Sequence, residues 1–313
     1  MPLFDAYIFV DWSAANRPHP LAPAGDAPWV GEATQVDTEL DVTYHRTRQA
    51  AVGHILERLL HHAGLGRRVL VGFDFPYGYP KGLASALALP DRCAPWWNIW
   101  AELSCRLKDK DDNSNNRFKV ASDLNQRITR GGSGPFWGCP EAKATQHLST
   151  HGPGFPFHTA RGVQLKRLRL CEVRLGRVQE AWGLFGKGRV GSQAMTGIPR
   201  VHYLRRHPQI ALFSKVWPFE TGFIATPSPP EGPFILHAEI WPGIVEQQVQ
   251  EMAGGEPLHI RDRAQVRAMC QWAELLDEKN TLGVLFDRPV GLDDAQAQSC
   301  VDEEGWILGA CRA

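Results

Sequence analysis

Apolar positions fall along this chain in two rhythms. Short continuous runs, Tyr7 to Val10 and Val69 to Phe73, have the length and the aromatic and branched composition of buried strands. Trp29 to Val36, Leu168 to Val173, Leu212 to Trp217 and Phe234 to Trp241 predict four more. Between the early runs, Ala50, Ile55, Leu56, Leu59 and Leu60 recur at helical spacing, and Gly64 and Gly66 supply a stop, so a helix is expected over Arg46 to His62. Asp262 to Glu278 carries Val266, Met269, Cys270, Ala273 and Leu276 on one side and predicts an amphipathic helix. Gly191 to Arg206 reads as a helix with a kink or break at Pro199. A last helix is expected over Leu292 to Cys300, with Asp293 or Asp294 in its first turn, where a carboxylate suits the helix dipole.

Strands alternating with helices in this order predict an α/β chain around one mixed sheet. The stretch from about residue 80 to 165 departs from the alternation. Helical segments at Leu83 to Leu89, Trp96 to Leu107 and Phe118 to Ile128 predict a large helical insertion, and its polar run Asp109 to Asn116 reads as a solvated loop. No repeat or low-complexity linker divides the chain, so residues 1–313 are expected to form one domain.

Composition narrows the partners. Thirty-four Lys and Arg balance 34 Asp and Glu, and hydrophobic residues make up 43 %, including 11 Trp. A neutral chain has no net field with which to grip a long duplex or an anionic membrane. No apolar stretch approaches the ~18 residues of a membrane span, and the N-terminus lacks a basic leader region, so a cytoplasmic location is expected. Seven scattered cysteines, Cys311 among them, without a C-x-x-C pair argue for free thiols.

The most informative pattern is an apolar strand that ends in an acid: FVDWSA at Asp11, VGFDFPYGYP at Asp74 and HAEIWPGI at Glu239. In the second and third a proline follows closely and stops the strand at an edge where a cleft can open. Carboxylates converging from such ends repel one another unless a divalent cation joins them, and oxygen donors suit Mg²⁺ or Mn²⁺. Asp293 or Asp294 offers a fourth acid, the other serving as a helix cap. A cluster of this kind can hold one or two metals for displacement at phosphorus.

These residues resemble a family of predicted nucleases of unknown function within the ribonuclease H-like superfamily. The resemblance rests on VDWSAAN, GFDFPYGYP, EIWPGI and GLDDAQAQ and extends over nearly the whole chain, most loosely in the middle third. It implies a mixed five-stranded sheet flanked by helices, and acids on the first strand, a later strand and the C-terminal helix that bind Mg²⁺ or Mn²⁺ and cut phosphodiester bonds. Carried to this chain, the catalytic and metal-binding residues are Asp11, Asp74, Glu239 and Asp294, with Asp293 competing for the last place. Many members place a histidine shortly before the final Asp-Ala pair; Asp287 to Leu292 contains none, and Arg288 is the basic residue there.

Two Gly-rich stretches supply candidates for substrate contact. Gly186 to Gly191 matches G-x-G-x-x-G ahead of a helix, with Lys187 and Arg189 able to meet a phosphate. It is a poor dinucleotide fingerprint, because it lies late in the chain and no acid closes a following strand. Arg130 precedes Gly131 and Gly132 and lies near Phe136 and Trp137, residues that together can bind a phosphate and stack a base. The expected function is a metal-dependent phosphodiester hydrolase acting on a short nucleic acid or a small phosphodiester or nucleotide. Its rivals are a phosphotransferase or cofactor-processing enzyme of the same architecture and a non-catalytic binding protein.

Overall fold

The computed structural model describes residues 1–35, 40–255 and 260–310. A six-stranded mixed sheet organises it, in the order β3-β2-β1-β4-β8-β7. β1 (Ala6–Asp11) is central, pairing antiparallel with β2 (Trp29–Thr34) and parallel with β4 (Arg68–Phe73). β3 (Asp41–Tyr44) extends the antiparallel side, while β8 (Phe234–Glu239) and the short β7 (Ser214–Val216) extend the parallel side. β1, β4 and β8 are buried along their whole length. That is why they read as unbroken apolar runs: parallel strands covered on both faces have no solvent side to encode. A further pair, β5 (Phe157–His158) and β6 (Gln164–Leu165), forms a small separate ribbon.

Helices cover both faces. α1 (Arg48–Gly64) packs Ala51, Val52, Ile55 and Leu59 under the even-numbered side chains of β1. Its N-terminus is capped by Thr47, whose hydroxyl accepts the Ala50 N–H. The same face receives α2 (Leu83–Ala86), α3 (Pro95–Arg106), α4 (Arg117–Thr129) and α6 (Gly191–Arg205). The opposite face, carrying Tyr7 and Phe9 of β1, is covered by α8 (Arg261–Glu278), which follows α7 (Glu246–Gly255). No helix among the described residues is long and apolar enough to cross a membrane. Six cysteines are free among these residues, and Cys311 lies outside them, as does Val36 at the end of the predicted second strand.

Four details depart from the sequence-based expectation. The sheet has six strands rather than five: β7 falls inside the strand expected over Leu212 to Trp217, and the unexpected edge is β3, four residues too short to leave a run. Leu168 to Val173 is not a strand: Leu170–Leu175 forms α5, opened by a bond from the Arg169 N–H to the Glu172 carboxylate. Pro199 neither ends nor divides α6, although it removes the bond to the Met195 carbonyl. The polar run is a loop exposed at Lys110 to Asp112 but anchored in the protein on both sides of that tip. Asn113 is fully buried and Asp109 nearly so, because Arg48, itself fully buried, gathers them as the partners its charge requires. Arg48 also donates to the Ser13 and Ala15 carbonyls at 3.1 and 2.7 Å, which fixes the loop leaving Asp11.

Candidate functional site

β1, β4, β8 and β7 run parallel, so their carboxyl ends share one edge, where ligands of open α/β sheets bind. Asp11 closes β1, and Asp74 follows β4 on the neighbouring strand, roughly 4.8 Å away at the usual strand spacing. The Asp74 N–H donates to the Val10 carbonyl at 3.2 Å, and the Trp12 N–H donates to Asp74 Oδ1 at 2.8 Å. Side chains alternate along a strand, and both acids fall on the face of Tyr7, Phe9 and Leu70, under α8. Asp262, in the first turn of α8, lies near enough for its charge to act on both, and its Oδ2 accepts the Asp26 N–H at 2.6 Å.

The electrostatics register this convergence. Burial raises the Asp11 carboxyl well above the ordinary range, with Asp74, Asp262 and Asp26 adding repulsion and Arg261 opposing it. Burial pushes Asp74 up to about 7; the Trp12 N–H pulls it down and Asp262 pushes it further up. Asp262 is raised as well, again chiefly by burial. Asp11 is 8 % exposed, and among the described residues no ion pair neutralises it or Asp74.

Glu239 and Asp294 are placed otherwise. Glu239 stands opposite Phe73, not Asp74, in the register of β4 and β8, so it points to the other face of the sheet. There it takes both arms of the buried Arg169 at 2.6 and 2.7 Å and accepts the Tyr77 N–H at 2.9 Å. Arg169 continues to Glu172 and to the Glu304 carbonyl, so Glu239 ties the sheet to the segment Cys300–Glu304. Asp294 opens the short α9 (Asp294–Ser299) with its side chain 97 % exposed and paired to Arg288 at 2.6 Å. Asp293 is the cap, accepting the Gln296 N–H. Neither Glu239 nor Asp294 is among the charges acting on Asp11.

A cavity of about 190 Å³ opens beside Asp74 and is lined by Glu239 as well, with Arg177, Gln179, Gly188, Val190 and Trp241. The Gly-rich loop therefore does reach the acid edge, through Gly188 rather than its charged residues. Arg189 lies over the Trp137 ring at 4.6 Å and donates to Gln179, and Lys187 does not line the cavity. Arg130 caps α4 in a left-handed conformation and contributes nothing to this cavity. The exposed Arg177, which no motif marks, supplies its guanidinium. Asp262 did leave a signal: it stands four residues before Val266, so the buried stripe of α8 begins with an acid.

Among the described residues no three His, Cys, Asp or Glu side chains form a ready-made metal cage. The donor set still suits one class of ion. Mg²⁺ and Mn²⁺ prefer oxygen, and Mg²⁺ commonly takes one or two carboxylates and completes its shell with water and substrate phosphate. Asp11 and Asp74, adjacent, part-buried or buried, and without a paired cation, fit that pattern, with Asp262 as a neighbouring acid. Comparison with protein-family models, curated proteins and solved structures yields no match, so the geometry of the acid edge carries the functional reading.

Proposed function

We propose that this chain is a metal-dependent phosphodiester hydrolase built on a ribonuclease H-like fold. The observation that carries the reading is the pair Asp11 and Asp74, side by side on one face at the carboxyl edge of the sheet and lacking any paired cation. Acids on the first strand and on its parallel neighbour match two of the three positions implied by the motif resemblance; the third, on the C-terminal helix, is replaced by Asp262 on α8. Asp262 on α8 takes the role there that the sequence motifs alone assign to Asp294. A bound Mg²⁺ or Mn²⁺ would supply the charge that polarises a phosphate and lowers the pKa of water.

The protein's own groups do the rest. Asp11 and Asp74 hold the ion, and the Trp12 N–H fixes the Asp74 carboxylate against rotation. Arg177, across the cavity from Asp74, grips a substrate phosphate. A cavity of about 190 Å³ is small beside ordinary ligand pockets of ~300–1,000 Å³. It suits one nucleotide unit or the end of a short strand better than a duplex.

The test is hydrolysis of bis(4-nitrophenyl) phosphate and of short single strands with Mn²⁺ and without it. Activity should require the ion, fall roughly a hundredfold or more in Asp11→Asn and Asp74→Asn, and persist in Asp294→Asn. Ion-independent cleavage, or cleavage indifferent to Asp11 and Asp74, defeats the reading.

A further inference from the structure

The cavity beside Asp74 asks for more than a phosphate. Apart from Arg177, Gln179 and the two acids, its walls are largely apolar, with Phe75, Val178, Val190, Ile240, Trp241 and Ile307 among them. A hydrated ion and a phosphate make no use of such walls, so the substrate brings an apolar part to them.

Trp241 is built to receive it. It follows β8 directly, and the Ile240 N–H before it donates to the Phe73 carbonyl at 3.0 Å, which ties this backbone to the strand that leads into Asp74. The next turn, Pro242–Val245, folds back on the indole. A Cβ on Gly243 would lie 2.3 Å from Cζ2, 2.5 Å from Cε2 and 2.8 Å from Cη2 of the ring. Distances so similar mean an approach from above the ring, because one along its plane would leave Cε2 and Cη2 well behind Cζ2. Glycine alone fits so close, and its backbone clamps one face of the indole. The side chain is half-buried, and among the described residues it has no aromatic neighbour, no cation over its face and no hydrogen bond from its N–H. A ring held on one face and otherwise without a partner is a stacking platform.

Gln179 adds a polar contact in the same cavity. It faces Arg189 Nη1 at 3.3 Å, and Arg189 is itself held over the Trp137 ring. Arginine only donates, so the oxygen of the carboxamide is the atom turned toward it. Nε2 keeps both its hydrogens, with no acceptor for them among the described residues.

We propose that this cavity seats the nucleobase of the nucleotide whose phosphate is attacked, stacked on Trp241, with Gln179 Nε2 donating to an acceptor on the edge of the base. The inference rests on the hydrolase reading and narrows its substrate to nucleotide esters and unpaired strand ends, since a base inside a duplex is not free to stack on a side chain.

The test compares Mn²⁺-dependent hydrolysis of two esters that differ only in the base: thymidine 5′-(4-nitrophenyl phosphate) and its abasic counterpart. kcat/KM should favour the nucleotide roughly tenfold or more, the scale of one base–aromatic stack. Trp241→Leu should bring that ratio close to one, and Trp241→Phe, which keeps a ring, should preserve most of it. Gln179→Ala, at an exposed position, should lower it a few-fold. Equal release from both esters by the unaltered protein, or a preference that survives both Trp241→Leu and Gln179→Ala, overturns the base seat and leaves the hydrolase reading standing. Release from neither ester defeats the hydrolase reading, and this inference falls with it.

Discussion

Three strand-end acids share a local sequence pattern but not an electrostatic state. Asp11 and Asp74 are crowded by other carboxylates, whereas Glu239 is satisfied by Arg169. Opposite mutational outcomes follow. Glu239→Gln breaks a buried pair and should cost about 3–5 kcal/mol in urea unfolding, while Asp294→Ala, at an exposed pair, should change stability by less than about 1 kcal/mol. Asp74, held at about 7 by burial, keeps its proton in the folded chain far above the ~3.9 of an unfolded one. Its contribution to the stability of the metal-free protein is complete below about pH 4 and is lost as pH rises through about 7. Asp74→Asn should therefore unfold at higher urea than wild type at about pH 8, with the gap closing toward about pH 4.5; a gap independent of pH would show that Asp74 is not titrating there. The sequence made Asp11 and Asp74 legible because an acid straight after a buried run is conspicuous. It made Glu239 equally conspicuous, since a motif shows that a strand has ended but not the parity of the last residue against its neighbour.

At the scale of elements, the site depends on how closely α8 approaches the sheet. Gly31 of β2 faces that helix, and a Cβ there would lie 3.1 Å from both Val266 Cβ and the Val266 carbonyl and 3.2 Å from Cys270 Sγ. Gly31→Val should press α8 outward, costing about 1–3 kcal/mol as overpacking does, and should weaken Mn²⁺ binding by moving Asp262. Titration of Mn²⁺ against the folded variant checks the second effect; unchanged affinity would exclude Asp262 from the ion's surroundings. The helix itself was plain from its apolar period, and so were β1, β4 and α1, whose burial is written into continuous or regularly spaced apolar positions. β3 and α5 were hidden for the converse reason. They are short, and what forms them is pairing with a neighbour or a single capping contact between Arg169 and Glu172. The loop Asp109 to Asn116 misled because its buried polar groups are explained by partners far away in sequence, chiefly Arg48, some sixty residues earlier, and Arg200.

For the whole molecule, a formal charge of zero hides segregation. Acids gather at one edge of the sheet, Arg177 shares a narrow cavity with Asp74, and Arg200 and Arg206 line a separate cavity on α6. Such a chain should hold long duplexes weakly. Fluorescence anisotropy against salt should give a slope for duplex DNA equivalent to only one or two phosphates, at about 0.9 per phosphate; a slope of many phosphates would contradict this picture. The central claim is that Asp11 and Asp74 hold a divalent ion, and the most direct test is anomalous diffraction from crystals soaked in Mn²⁺. A peak within bonding distance of both carboxylates, lost in Asp11→Asn, is the predicted result. Full occupancy elsewhere with this edge empty, or a peak that survives the loss of Asp11, would contradict it.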